Sequence, residues 1–151
     1  MKRISYKDVS PAGYRALSSL EAFVQRSSIE RMLAHLVYLR VSQINRCAFC
    51  IDMHTKDLIA GGESVERLAL VGVFREAPSF TPRERTALAW AEAVTELGRD
   101  GVAEPLYQQA LAEFGESGLV DLTITVGMIN VWNRLSIAFG SEPGHYRPGQ
   151  H

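Results

Sequence analysis

The two cysteines of this chain, Cys47 and Cys50, stand in the run Arg46-Cys47-Ala48-Phe49-Cys50-Ile51-Asp52-Met53-His54. If the run is helical, each residue advances about 100°, so Cys47, Cys50 and His54 share one face. Cys50 and His54 are then an i, i+4 pair, close enough for their side chains to touch. A thiol at a helix start meets unpaired N–H groups and the positive end of the dipole, both of which favour the thiolate. A neighbouring imidazole can take the thiol proton or stabilise the anion. Two such thiols make a reversible dithiol/disulfide couple. They can also reduce a peroxide: one thiolate attacks the O–O bond, becomes a sulfenic acid, and condenses with its neighbour.

Two other readings of the same residues stand beside this one. Isolated cysteines are often small buried hydrophobes, although two at this spacing with a histidine four residues on are harder to dismiss. Cys47, Cys50, His54 and His35 could also supply a two-Cys, two-His tetrahedral zinc site. Their spacing differs from that of zinc fingers, and a helical domain of this length folds without metal. No metal is therefore expected. No glycine-rich phosphate loop is present, so no nucleotide cofactor is expected either.

The elements that must position these residues are legible from periodicity. Ser10-Pro11 reads as a helix start, with proline where its missing N–H costs nothing. A second start is expected at Ser27, with Glu30 completing a capping box. From there Ile29, Leu33, Leu36, Val37, Val41 and Ile44 recur at helical spacing to about Asn45, which could cap the next helix. That helix runs from about Arg46 to Ala60 and stops at Gly61-Gly62. A short helix opens at Ser64. Thr81-Pro82-Arg83-Glu84 is a further capping box, followed by a helix to Leu97. Residues 104 to 114 form another, closed by Gly115, and a last one spans Gly118 to Phe139. Thr123 to Val126 could locally be a strand, but length favours helix. The expected fold is all-α, one domain over residues 1–151 with six to seven helices and flexible ends at 1–9 and 141–151.

Composition agrees with a soluble globular chain: 151 residues, 46% hydrophobic and 22% charged. A net charge of -1 disfavours nucleic acid and anionic membranes as partners. No signal peptide or membrane span is read, which points to the cytoplasm. Trp90 and Trp132 read as core or interface. Arg134 would need a carboxylate partner if buried, and Asp52 reads as solvated.

The segment LRVSQINRCAFCIDMHTKDLIAGGES resembles the core motif of the AhpD-like alkylhydroperoxidases of the carboxymuconolactone decarboxylase superfamily. INVWNRLSIAFG resembles the segment that closes such domains, and the likeness runs from about residue 30 to 140. It implies an all-helical fold, homo-oligomers (trimers or hexamers), and thiol-dependent reduction of hydroperoxides. Cys50 would be the attacking thiol and Cys47 the resolving one. His54 would belong to a proton relay, and an external dithiol, lipoyl or thioredoxin-like donor would supply electrons. The resemblance places a glutamate twelve residues before the first cysteine, where this chain has His35. Histidine can accept a proton near neutrality but lacks a fixed negative charge to hold His54, so weakened peroxidase activity is expected. The alternatives are a redox-sensing oligomer without turnover and a decarboxylase-type lactone enzyme.

Overall fold

A computed structural model describes residues 3–150. Seven α-helices occur among them: α1 (Tyr6–Val9), α2 (Pro11–Gln25), α3 (Arg31–Ile44), α4 (Ala48–Ala60), α5 (Val65–Ala69), α6 (Pro82–Thr95) and α7 (Glu104–Phe139). A 3-10 turn at Val71–Val73 follows α5. The described residues contain no strand, only an isolated bridge between Gly98 and Gly101. The fold is all-α, as the periodicity predicts.

Helix α3 is the centre because it is apolar almost all round. One side carries Val37 and Val41 into a core shared with Ala87 and Ala91 of α6 and Leu122, Val126 and Ile129 of α7. The other side carries Leu36 and Leu39 into a second core with Leu58 of α4, Val71, Phe74 and Leu88. The polar residues that lie between the two cores therefore meet specific partners rather than bulk water. Arg40, for example, donates to Glu92 of α6 at 2.8 Å.

The capping box at Thr81 is present: the Glu84 N–H donates to Thr81 Oγ1, and the Thr81 N–H donates to the Glu84 carboxylate. The box expected at Ser27 is absent. Ser27 Oγ donates instead to the Val24 carbonyl, α3 starts at Arg31, and the Glu30 carboxylate takes Arg83. A long-range ion pair thus outcompetes the local cap. At Gly115 the backbone leaves the helix (φ 69, ψ 174) and resumes at once. Such a conformation is essentially open to glycine alone, so the two expected helices follow one another as segments of α7. Thr123 and Thr125 are helical, their hydroxyls donating to the carbonyls of Leu119 and Asp121.

Near the N-terminus, Tyr6 to Val9 form α1, and Tyr6 packs on Phe139. The tail after Gly140 has no helix, in keeping with its prolines and glycines, and is hydrogen-bonded to α4 as described below. Residues 1, 2 and 151, part of the ends expected to be flexible, lie outside the described residues. No helix among the described residues is long and apolar enough to cross a membrane.

The turn from α3 to α4 has one unusual residue. Arg46 is left-handed (φ 59), the single non-glycine with positive φ among the described residues. Its N–H donates to the Gln43 carbonyl at 3.2 Å, and the Cys47 N–H donates to the Ser42 carbonyl at 3.0 Å. These are the two bonds of a Schellman cap, which normally places glycine at this position. Asn45, expected to cap α4, ends α3 instead. Its side-chain amide donates to Asn130 and Asn133 of α7, both at 2.9 Å. Asn133 in turn donates to Ser42 Oγ at 3.0 Å.

Arg46→Gly should therefore stabilise the fold. It relieves a left-handed strain of about 1–2 kcal/mol against a glycine entropy cost of about 0.5–1 kcal/mol. Urea unfolding is expected to read a gain of about 0.5–1 kcal/mol. A loss would mean that the Arg46 side chain contributes more than its backbone costs.

Candidate active site

Helix α4 begins where the Schellman turn releases the chain, and Cys47 is its N-cap residue. The Cys47 Sγ accepts the N–H of Cys50 at 3.3 Å. One turn later Cys50 reaches back, and the two are joined as a disulfide with Cα atoms 5.3 Å apart. Both are 1% exposed. His54 lies one turn further along the same face and is also buried.

His54 packs beneath two rings from α3. Its centroid is 5.0 Å from that of Tyr38 and 5.8 Å from that of His35. His35 and Tyr38 are themselves 5.3 Å apart, edge to face. The structure thus brings together all four residues singled out from the sequence: Cys47, Cys50 and His54 on α4, and His35 on α3. Burial, followed by the nearby Glu21 carboxylate, pushes the Tyr38 hydroxyl well above its ordinary range.

Two further residues complete the cluster, and sequence reasoning missed both. Asp57 lies one turn beyond His54, with its Oδ2 4.0 Å from His35 Nδ1 and its side chain 6% exposed. Its other oxygen accepts the Tyr146 hydroxyl at 2.7 Å. Donor atoms of His35, His54 and Asp57 all lie within 4.8 Å of one another. Position 35 thus lacks a carboxylate, but the site does not. A signal for Asp57 existed, since i+3 from His54 returns to nearly the same helix face. None existed for Tyr146, which arrives from a tail about ninety residues away in sequence.

That tail is tied down at several points. The Gly144 N–H donates to Asp52 Oδ2 at 3.0 Å. Lys56 Nζ donates to Asp52 at 2.8 Å and to the carbonyls of Gly144 and Tyr146 at 3.4 and 3.3 Å. Asp52, expected to be merely solvated, is therefore an anchor. The Lys56 hydrogen bond holds its carboxyl below the usual range, outweighing slight desolvation, with the Gly144 N–H assisting. Burial and the bond to Asp57 push the Tyr146 hydroxyl above its ordinary value.

Cys50 and His54 line a cavity of about 320 Å³, whose walls include Tyr14, Phe49, Met53 and Trp132. Cys47 is not among its lining residues. The Trp132 indole packs edge-on against Tyr14, and its Nε1 is shielded from solvent with no hydrogen-bond partner among the described residues. Trp90, by contrast, is core and donates to Thr123 Oγ1. Arg134, considered for a buried ion pair, is exposed and donates to the carbonyl and side chain of Asn130. Ser42 and Asn45 serve the α3–α4 turn rather than the cavity.

An all-helical domain with a buried Cys-x-x-Cys pair, an in-register histidine and an adjoining cavity defines a class of thiol/disulfide proteins. The carboxymuconolactone decarboxylase family model matches residues 11–93, and the chain belongs to that family, in its AhpD-like branch. It is 37% identical over 141 residues to the uncharacterized protein YdfG of Bacillus subtilis (strain 168), covering 93% of this chain and 96% of that one. It is 38% identical to a crystal structure from Agrobacterium tumefaciens, with a TM-score of 0.90 over 97% of this chain and 100% of the other. That protein is of unknown function, provisionally described as the antioxidant defence protein AhpD. The debrominase Bmp8, solved in complex with 2,3,4-tribromopyrrole, shares the fold at 14% identity. Its TM-score is 0.80 over 91% of this chain and 74% of its own.

Tyr146→Phe removes the hydroxyl that meets Asp57 and leaves the ring. Amide hydrogen exchange across residues 143–147 is expected to quicken several-fold, with α6 unchanged. Unaltered exchange in the tail would mean that the Asp52 and Lys56 contacts alone hold it.

Proposed function

We propose that this protein is a thiol-dependent peroxidase that reduces organic hydroperoxides through the Cys50–Cys47 couple. The observation that carries the reading is the asymmetry of the pair: Cys50 lines the cavity beside His54, whereas Cys47 does not. In the reduced protein the Cys50 thiolate attacks the outer peroxide oxygen. The O–O bond breaks, Cys50 becomes a sulfenic acid, and the leaving alkoxide takes a proton from protonated His54 to depart as an alcohol. The Cys47 thiolate then attacks the Cys50 sulfur, and hydroxide leaves with a second proton as water. The disulfide that results is the state described above. An external dithiol, such as a lipoyl group or a thioredoxin-like protein, supplies the two electrons that reopen it.

His35 and Asp57 act behind His54. The Asp57 carboxylate provides the negative charge that His35 does not, favouring the protonated form of whichever imidazole it faces. The weakening expected from the histidine at position 35 is thereby offset. The oligomer implied by the family is proposed too. Exposed Val120 and Val131, eleven residues apart and so nearly in line on α7, support a helix face that meets another copy.

Intact mass after thiol trapping tests the reading. One equivalent of peroxide should remove two alkylation sites from the reduced chain, and a dithiol should restore them. Cys50→Ser is expected to abolish turnover and Cys47→Ser to accumulate a sulfenic acid on Cys50. Undiminished turnover in Cys50→Ser, or thiols still trappable after peroxide, would overturn the assignment. Asp57→Asn should lower turnover roughly tenfold to a hundredfold while the unfolding midpoint moves little. An unchanged rate would remove Asp57 from the relay.

A further inference from the structure

The cluster behind the thiols has the composition of a metal site in its own right. Two imidazoles and one carboxylate converge from two helices, with donor atoms of all three within 4.8 Å of one another. We propose that His35, His54 and Asp57 bind one divalent cation of the zinc class, independently of the cysteines.

Donor chemistry sets the class of ion. Two nitrogen donors and one carboxylate oxygen suit borderline first-row cations, whereas magnesium and calcium take oxygen sets. Geometry sets the feasibility. Zinc bonds of about 2.0–2.1 Å in a tetrahedron put ligand atoms roughly 3.4 Å apart, so donors now within 4.8 Å of one another must draw together by up to about 1.4 Å. His54 and Asp57 are one turn apart on a single helix, and His35 sits on the helix packed against it, so side-chain rotation alone can supply this. Asp57 is also oriented from behind. The Tyr146 hydroxyl occupies its Oδ1 and leaves Oδ2 turned towards His35 Nδ1 at 4.0 Å. Such outer partners are what fix a ligating carboxylate in a built site.

Three protein ligands leave a tetrahedral ion with one open position. Since His54 also lines the cavity with Cys50, a water can fill that place. This ligand set differs from the two-Cys, two-His combination that the spacing of the sequence disfavours. Both sulfurs are spent in the disulfide, so the site is complete in the oxidised protein. Its consequence for turnover rests on the peroxidase reading: a cation on the His54 nitrogen removes the proton carrier, so zinc inhibits and a chelator restores.

Zinc is titrated calorimetrically into the oxidised, tag-free chain, and cobalt(II) is followed by its absorption spectrum. One zinc per chain is expected, bound at least tenfold more weakly after His35→Gln and after Asp57→Asn, and equally well after His145→Gln, which changes a tail histidine outside the cluster. Cobalt should give visible ligand-field bands without sulfur charge transfer. Absence of stoichiometric binding would overturn the proposal, as would indifference to both substitutions or binding that appears only on reduction with thiolate bands. Zinc binding by a chain that shows no peroxide turnover even when metal-free and reduced would sink the peroxidase reading alone, and turnover without zinc binding would sink this one alone.

Discussion

The arrangement of the site depends on a single reversal of the backbone at Arg46. Helix α3 must end and α4 begin within three residues, or Cys50 and His54 would not face His35 and Tyr38 across the helix pair. The Schellman bonds achieve this, with Cys47 N–H satisfying the last free turn of α3 while Cys47 Sγ caps the first turn of α4. One residue thus terminates one helix and starts the next. Nothing local favours an arginine there, since its left-handed conformation is unfavourable for any side chain with a Cβ. The compensation is tertiary. Asn45, Asn130, Asn133 and Ser42 form a hydrogen-bonded set between α3 and α7. Asn133 is fully buried, so breaking the set would leave polar groups unsatisfied in the core.

This explains why α3 carries so little polarity and where it does. Between two apolar cores, any polar side chain needs a partner supplied by another element. Ser42 has Asn133, Arg40 has Glu92, and His35 has Asp57. Had position 35 been apolar, Asp57 would have faced the helix pair with its Oδ2 buried and without the imidazole. The histidine and the aspartate are therefore better understood as a pair than as a substitution at one position.

The sequence reveals the helices well because apolar spacing at 3.6 residues, proline starts and glycine stops are local signals. The face shared by Cys47, Cys50 and His54 is equally local, as is the box at Thr81. What escaped is what depends on distant partners. Ser27 and Glu30 have the right spacing for a cap, but the salt bridge from Arg83 draws Glu30 away. Asn45 has the right chemistry for an N-cap, but the asparagines of α7 recruit it. Tyr146 lies among glycines and prolines that mark irregular backbone, and no periodicity there reports a hydroxyl that meets Asp57.

The tail, in turn, makes α4 a helix with two occupations. Asp52 and Lys56 are offset by two residues from Cys50 and His54, which places them about 200° round the helix, on the opposite side. That outer side holds Gly144 and the Tyr146 carbonyl, while the inner side holds the thiols and the histidines and receives the Tyr146 ring. Asp57, two turns on from Cys50, lies on the inner side, with one oxygen towards the Tyr146 hydroxyl and the other towards His35. A displacement of the tail therefore cannot leave the inner face untouched. Release of the Tyr146 hydroxyl would free the carboxylate to rotate and change the charge that His35 and His54 feel. The same bond that fastens the end of the chain sets the orientation of the carboxylate behind the thiols.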